Sequence, residues 1–410
     1  MKKMLFLTVV LVLLIMPRFS LSALDWGLFL EQNAYIVSAG AVSDTFSDDF
    51  TYAGTLVPWL SAPLGSTGKL YLSAGLLAEY LNGKTNFIPQ LFRTEVSFAA
   101  GQGGEIRAGR MLYSDPLGFV ASGLFDGARY SVSAGNKGVL GLGVWYTGLL
   151  YKGKAEIMMT GDDLVSYAAP FDYSNFADSY FASRRLVAAV DWDSSYITEW
   201  LRLKMALMAQ FDLNGNDTRY NSQYFIISAA IPKNSFVFNL GASIETAEIS
   251  NGSNEFRLGL AGELGIGWML PTAIPDRLGF TGRFTSGTSG DTMTAFNPIT
   301  KLSHGSVLDA KLSGLSMLRL DYTARPVESL SFTLASSYFV LSDLGTYTGY
   351  PIGKDGYFLG NEFSGELIWS PVSDLRLGIG GGIFLPSLGN ADSKSDPMWR
   401  IGLSAVLVFF

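Results

Sequence analysis

Residues 254–268 read NEFRLGLAGELGIGW and divide at every second position. One parity holds Phe256, Leu258, Leu260, Leu264, Ile266 and Trp268; the other holds Glu255, Arg257, Gly259, Ala261, Glu263 and Gly265. A period of two is the side-chain period of a β-strand, so the segment has one apolar face and one polar or small face. The division recurs elsewhere. In 373–385, SDLRLGIGGGIFL, Leu375, Leu377, Ile379 and Ile383 oppose Asp374, Arg376, Gly378 and Gly380. In 199–211, EWLRLKMALMAQF, Leu201, Leu203, Met205, Leu207 and Phe211 oppose Arg202, Lys204 and Gln210. In 316–323, SMLRLDYT, Leu318, Leu320 and Tyr322 oppose Arg319 and Asp321.

The composition says how such strands are used. The chain is 48% hydrophobic, 16% charged and carries 46 glycines. Yet beyond residue 24 no stretch approaches the roughly 20 consecutive apolar residues of a membrane helix. The hydrophobicity is spread thinly over alternating segments. A soluble β-sandwich would also alternate, but with a more uniformly polar outer face and fewer strands.

Period-two runs fall near 27–40, 50–60, 68–81, 89–100, 104–112, 124–134, 138–149, 183–193, 199–211, 220–231, 235–247, 254–268, 277–286, 311–323, 328–341, 361–370, 373–385 and 397–410, about eighteen in all. Compact connectors such as GQGG, GNKG, PKNS, ARPVE and PVS alternate with longer ones, the longest near 150–182, 287–310 and 342–360. An even number of strands, short turns at one end and long loops at the other are the marks of a transmembrane antiparallel β-barrel. The expected fold is therefore all-β, one barrel of 16–18 strands over residues 24–410. Six of the eight tryptophans (Trp26, Trp59, Trp192, Trp200, Trp268 and Trp369) fall at the short-turn end, as an aromatic girdle at the periplasmic interface would require.

The first 23 residues are separate. Lys2 and Lys3 precede an apolar run from Met4 to Met16, then small residues at Ser20, Ser22 and Ala23. This is the layout of a secretory signal, with cleavage expected after Ser22 or Ala23 and delivery to the bacterial outer membrane. At the other end, AVLVFF finishes on Phe410, which resembles the terminal strand by which outer-membrane proteins are recognised by their assembly machinery. Trp399, Ile401, Leu403, Leu407 and Phe409 form the more apolar parity there, so an offset in register is expected near the end.

Charge facing lipid at mid-depth costs about 2–4 kcal/mol for Arg or Lys. That rule turns Arg93, Arg107, Arg202, Lys204, Arg257, Arg283, Arg319, Arg376 and Arg400 inward, with Glu95, Glu255, Glu263, Asp321 and Glu366. A barrel of this size holds an aqueous lumen, so these residues are expected to line a pore. They would either select solutes or tie the wall together by ion pairs. Arginine outnumbers lysine on the strands, which suits bidentate contact with anionic solutes.

Two stretches carry a resemblance. Residues 107–132, RAGRMLYSDPLGFVASGLFDGARYSV, and 359–389, LGNEFSGELIWSPVSDLRLGIGGGIFLPSLG, are similar to alginate-export-type porins and related eighteen-stranded substrate-specific channels of Gram-negative bacteria. The resemblance implies a constriction lined by strand arginines that favours acidic sugars or other anions, with Arg110 and Arg129 the best positional matches. The implied function is passive diffusion or export of small or acidic polar solutes.

Other chemistry is poorly provided for. With no cysteine and a single histidine, thiolate and multi-histidine metal sites are excluded, and no cofactor is expected. A net charge of −7 disfavours nucleic acid. His304, in KLSHGS beside Ser303 and Ser306, reads as a solvent-exposed loop residue, and the chain is expected not to be an enzyme. The alternative kept open is a surface adhesin or structural barrel with a closed lumen. The long 150–182 segment, acidic and aromatic, either folds into the lumen or stands outward as a surface loop.

Overall fold

The computed structural model describes residues 24–38, 49–81, 83–194, 197–215, 219–250, 254–347 and 355–409. The signal segment, the cleavage site and Phe410 lie outside them. Eighteen antiparallel strands form one sheet. They are β1 (Asp25–Val37), β2 (Asp49–Leu64), β3 (Gly68–Leu81), β4 (Lys84–Ala99), β5 (Gly104–Ser114), β6 (Ser122–Ser133), β7 (Val139–Tyr146), β8 (Arg185–Asp193) and β9 (Arg202–Asp212). Then come β10 (Arg219–Lys233), β11 (Phe236–Ser250), β12 (Asn254–Met269), β13 (Asp276–Thr285), β14 (Leu315–Val327), β15 (Leu330–Leu341), β16 (Phe358–Val372), β17 (Leu375–Leu385) and β18 (Met398–Phe409). Each strand pairs with its sequence neighbours. β18 closes on β1 from Leu28↔Phe409 to Val37↔Arg400, so the sheet has no terminal edge.

The alternation read from the sequence sorts the two faces. Across β11, β12 and β13 the register aligns Gly241, Glu263 and Arg283 on one face, and Leu240, Leu264 and Gly282 on the other. The face bearing Leu142, Leu207, Leu318, Leu334, Ile401 and Leu403, all more than half exposed, runs round the outside. The opposite parity is the inside, because chain segments from the loop end pack on it. Pro116 accepts a bond from Ser228 Oγ, and Asn297 accepts one from Tyr224 Oη. Tight connectors close the opposite end. In GQGG, Gly101 and Gly103 adopt φ +70° and +72°, conformations that side chains disfavour. The expected offset in the last strand does not arise. Ile401, Leu403 and Phe409 keep one outward parity, so Phe409 carries the exposed aromatic.

Three local features differ from the sequence reading. The fourteenth strand starts at Leu315 rather than 311, because Lys311 pairs with Ser303 in a small hairpin, Ser303–His304 with Ala310–Lys311. Trp59 stands at the short-turn end but points inward, its ring filling the space a Cβ at Gly27 would need. Trp145 also faces inward, buried against Tyr113 and Phe125.

The third concerns the height of the wall. β7 and β8 have only 8 and 9 residues, whereas β4 and β12 have 16 each. β4 pairs with β5 only over Thr94–Ala99 against Glu105–Arg110, leaving its upper half as an edge. Exposed backbone acceptors are costly in a bilayer, and here three alternate carbonyls are capped by side chains. Tyr173 Oη donates to Phe87 O, Tyr180 Oη donates to Pro89 O at 2.8 Å, and Arg110 Nη1 donates to Leu91 O at 2.6 Å. Pro89, which has no N–H to leave unpaired, suits such an edge.

Candidate functional site

The 150–182 segment fills the low part of the wall and reaches into the lumen. Its helix α1, Gly161–Ala168, starts with a capping box between Thr160 and Asp163. Asp163 then takes Arg185 of β8 at 2.5 Å, and Asp212 of β9 takes the same guanidinium at 2.9 Å. This buried charge cluster pins the segment to the inner wall. A second segment, 286–313, docks beside it: Asn297 Nδ2 donates to Met159 O, and its backbone N–H donates to Glu245 of β11. Lys311 Nζ donates to Met158 O at 2.7 Å and Asn297 Oδ1 at 2.6 Å. Burial pulls the Lys311 ammonium down to about 8, although the Glu245 carboxylate opposes that shift. Met111, Phe125, Val187, Met208 and Ile226 of the wall pack with Phe119, Ile157, Phe296 and Ile299 of the loops in one apolar core. The loop-end half of the lumen is therefore narrowed by folded chain.

His304 is buried between β13 and the second docked segment, contrary to the expectation of a solvent-exposed residue. Only 2% of it is accessible. Arginine can only donate, so the 2.8 Å contact from Arg283 Nη1 makes Nε2 an acceptor, and Nδ1–H donates to Leu302 O at 2.8 Å. Burial and the Arg283 charge hold the ring neutral, with its pKa down to about 4. This arrangement leaves no free nitrogen for base catalysis.

Below the docked segments the inward parity is charged. Arg93 pairs with Glu95, and Arg107 with Glu105 at 3.5 Å. Arg129 reaches Asp191 at 2.5 Å across Gly141, where a Cβ would lie 2.4 Å from its Nη2. Arg202 and Lys204 share Asp193, at 2.8 and 3.3 Å. Arg283 pairs with Glu263 at 2.5 Å. Arg277 and Arg319 approach Asp321 at 3.1 and 3.8 Å. Arg257 and Glu255 pair at 2.8 Å near the loop end. Arg376, Arg400 and Glu366 occupy the same inward parity with no opposite charge within ion-pair distance among the described residues. Arg400 instead stacks over Tyr35 at 4.2 Å.

Arg110 is the exception among the expected pore residues. The register sets it opposite Thr94 and Asp126, on the parity of exposed Phe98, Ile106 and Leu112. It is nonetheless 5% accessible, gripping Asp126 through Nε and Nη2 at 2.8 and 2.7 Å and donating to the Leu91 and Leu149 carbonyls. Arg110 is a staple within the wall, at the point where β4 and β5 part. The resemblance implied a place for it in a constriction; the register instead puts it on the outer parity, where the chain around Leu149 covers it.

Two cavities open on the inner face of the wall. One, of about 580 Å³, is lined by Arg319, Arg400, Glu366, Asn33 and Tyr35 over a floor of Gly380 and Gly402. The other, of about 680 Å³, lies at the short-turn end and includes Trp59, Tyr71, Arg93, Glu95, Lys69 and Arg107.

A closed eighteen-stranded barrel with an apolar exterior, a charged interior and inward-folded loops is the fold of outer-membrane porins. The OccK11 (OpdR) channel of Pseudomonas aeruginosa superimposes with a TM-score of 0.58 over 94% of this chain and 97% of its own, at 13% identity. A BenF-like porin from Pseudomonas fluorescens Pf-5 gives 0.60 over 94% and 99%, at 10% identity. OccK2 (OpdF) of Pseudomonas aeruginosa in complex with glucuronate gives 0.58 over 94% and 98%, at 12% identity. No protein-family description matches the chain, and no curated protein matches it in sequence.

Proposed function

We propose that the chain is an outer-membrane channel for passive passage of small polar solutes, with acidic ones favoured. The observation that carries this reading is the division of one wall. Exposed leucines and isoleucines form the outer parity, whereas fifteen of the sixteen charged residues expected in the pore stand on the inner one, Arg110 excepted. Such a wall is stable only with lipid outside and water inside. The leader at residues 1–23 would deliver the chain, and the C-terminal sequence AVLVFF would present it to the assembly machinery.

Anion preference rests on the unpaired charges. Most lumen arginines are neutralised by a neighbour; Arg376 and Arg400 have no ion-pair partner among the described residues, and in one cavity Arg400 and Arg319 (3.8 Å from a shared Asp321) face the single Glu366. The glucuronate held by one structural neighbour and the motif likeness to alginate-export porins make acidic sugars the first solutes to test. In liposome swelling, glucuronate is expected to enter faster than glucose of similar size. Replacing Arg319 and Arg400 together by glutamine should erase the difference; an unchanged ratio would contradict their role. The second reading, a barrel closed by its own loops, draws on the apolar core that fills the loop-end half. Exclusion of both sugars by a folded barrel would favour it.

A further inference from the structure

The short-turn end carries a second kind of surface. Trp59 of β2 and Tyr71 of β3 stack with ring centres 6.0 Å apart and planes 10° from parallel. The Arg93 guanidinium of β4 lies 4.6 Å over the same Tyr71 ring. Three adjacent strands thus present a row of flat groups along the wall of the 680 Å³ cavity. The row begins at Trp59, an inward tryptophan at a depth where a girdle residue would face lipid.

The charges around the row balance: Arg93 pairs with Glu95 and Arg107 with Glu105, and the rest of the lining adds one of each sign, Lys69 and Asp25. Glu95 is 5% accessible. One of its oxygens takes Arg93; the other, Oε2, has no hydrogen-bond partner among the described residues. A buried carboxylate oxygen without a donor is costly. What it lacks is a donor; a ligand carboxylate would meet it with like charge. The aromatic pair gives the cavity an apolar wall for a ligand ring, while hydroxyls around that ring supply donors to Glu95 and acceptors to Arg93.

We propose that this cavity binds a neutral polyhydroxylated ring, a mono- or disaccharide, at the short-turn mouth of the lumen. The site depends on the channel reading only for access to the lumen from the far side; binding itself is open to measurement in a barrel that conducts nothing. Its preference for an uncharged ring contrasts with the Arg319–Arg400 cavity, so the two sites favour different solutes along one path.

The test is isothermal titration of the folded, detergent-solubilised barrel with cellobiose, using glucuronate as the charged comparator. Cellobiose should bind the Arg319→Gln, Arg400→Gln variant as well as it binds the parent. Trp59→Ala should weaken cellobiose at least tenfold, and Trp59→Phe should recover part of the loss. Glu95→Gln should weaken it several-fold while narrowing the gap to glucuronate. Folding of each variant is checked by heat-modifiable gel mobility. Unchanged cellobiose binding in a folded Trp59→Ala barrel, no cellobiose binding in the parent, or tighter glucuronate that depends on Trp59 would each overturn the proposal. Failure of the swelling assay alone would count against the channel and leave this site standing.

Discussion

At the scale of single residues, the wall separates charges that look alike in sequence. Arg110 and Arg376 both sit on alternating strands, yet only Arg110 is buried and bound at four places. Removing one partner of a buried pair strands the other, which costs about 3–5 kcal/mol. Arg110→Met should therefore lower the urea midpoint markedly and leave ion selectivity unchanged. Arg376→Gln, at the exposed rim, should shift the midpoint little; equal effects would contradict the staple. His304 gives a pH dependence with a defined sign. Its folded value, about 4, lies below the ordinary 6.5, so on acidification the opened state takes the proton first. The stability of the 303–311 hairpin is fully present above pH 6.5 and is lost as pH falls towards 4. Hydrogen exchange at His304 and Ala310 should speed up over that window. His304→Gln, which keeps an acceptor for Arg283, should flatten the response; an identical profile in both would refute this account. The burial of His304 was not legible in KLSHGS, because its partner Arg283 stands on β13, outside any local pattern.

At the scale of elements, strands were legible and their company was not. Boundaries read from period-two alternation lie within a few residues of those found, since each strand needs one face in each medium. The upper half of β4 shows the limit. FIPQL, residues 87–91, alternates like its neighbours, and only Pro89 hints that one side lacks a partner. The caps come from Tyr173 and Tyr180, some ninety residues downstream, so no local pattern could announce them. Replacing both tyrosines by phenylalanine keeps the aromatic cluster and removes two donors from the edge carbonyls of β4. At about 1–3 kcal/mol per orphaned group, the double variant should unfold at clearly lower urea and show faster exchange in β4 than in β11. Wild-type behaviour in both measurements would show that the caps contribute nothing. The 150–182 segment was similarly open to two placements until Asp163 and Arg185 met, a contact between residues 22 positions apart that pattern alone does not fix.

At the scale of the whole molecule, the balance between a narrowed and a closed lumen decides function. The loop segments meet in an apolar core over β5–β12, and their charged anchors make that half of the lumen a fixed filling. The remaining polar surface runs from the Trp59 cavity to the Arg319–Arg400 cavity along β1–β4 and β14–β18. Passage is thus expected along one side of the barrel, past the cavity in which Arg319 and Arg400 face the single Glu366. The most direct test is the reversal potential of the refolded chain, without residues 1–23, in a planar bilayer under a potassium chloride gradient. The account predicts steady conductance with a reversal potential displaced towards that of chloride. A reversal potential displaced towards potassium, or no conductance from a barrel shown to be folded and inserted, would contradict it.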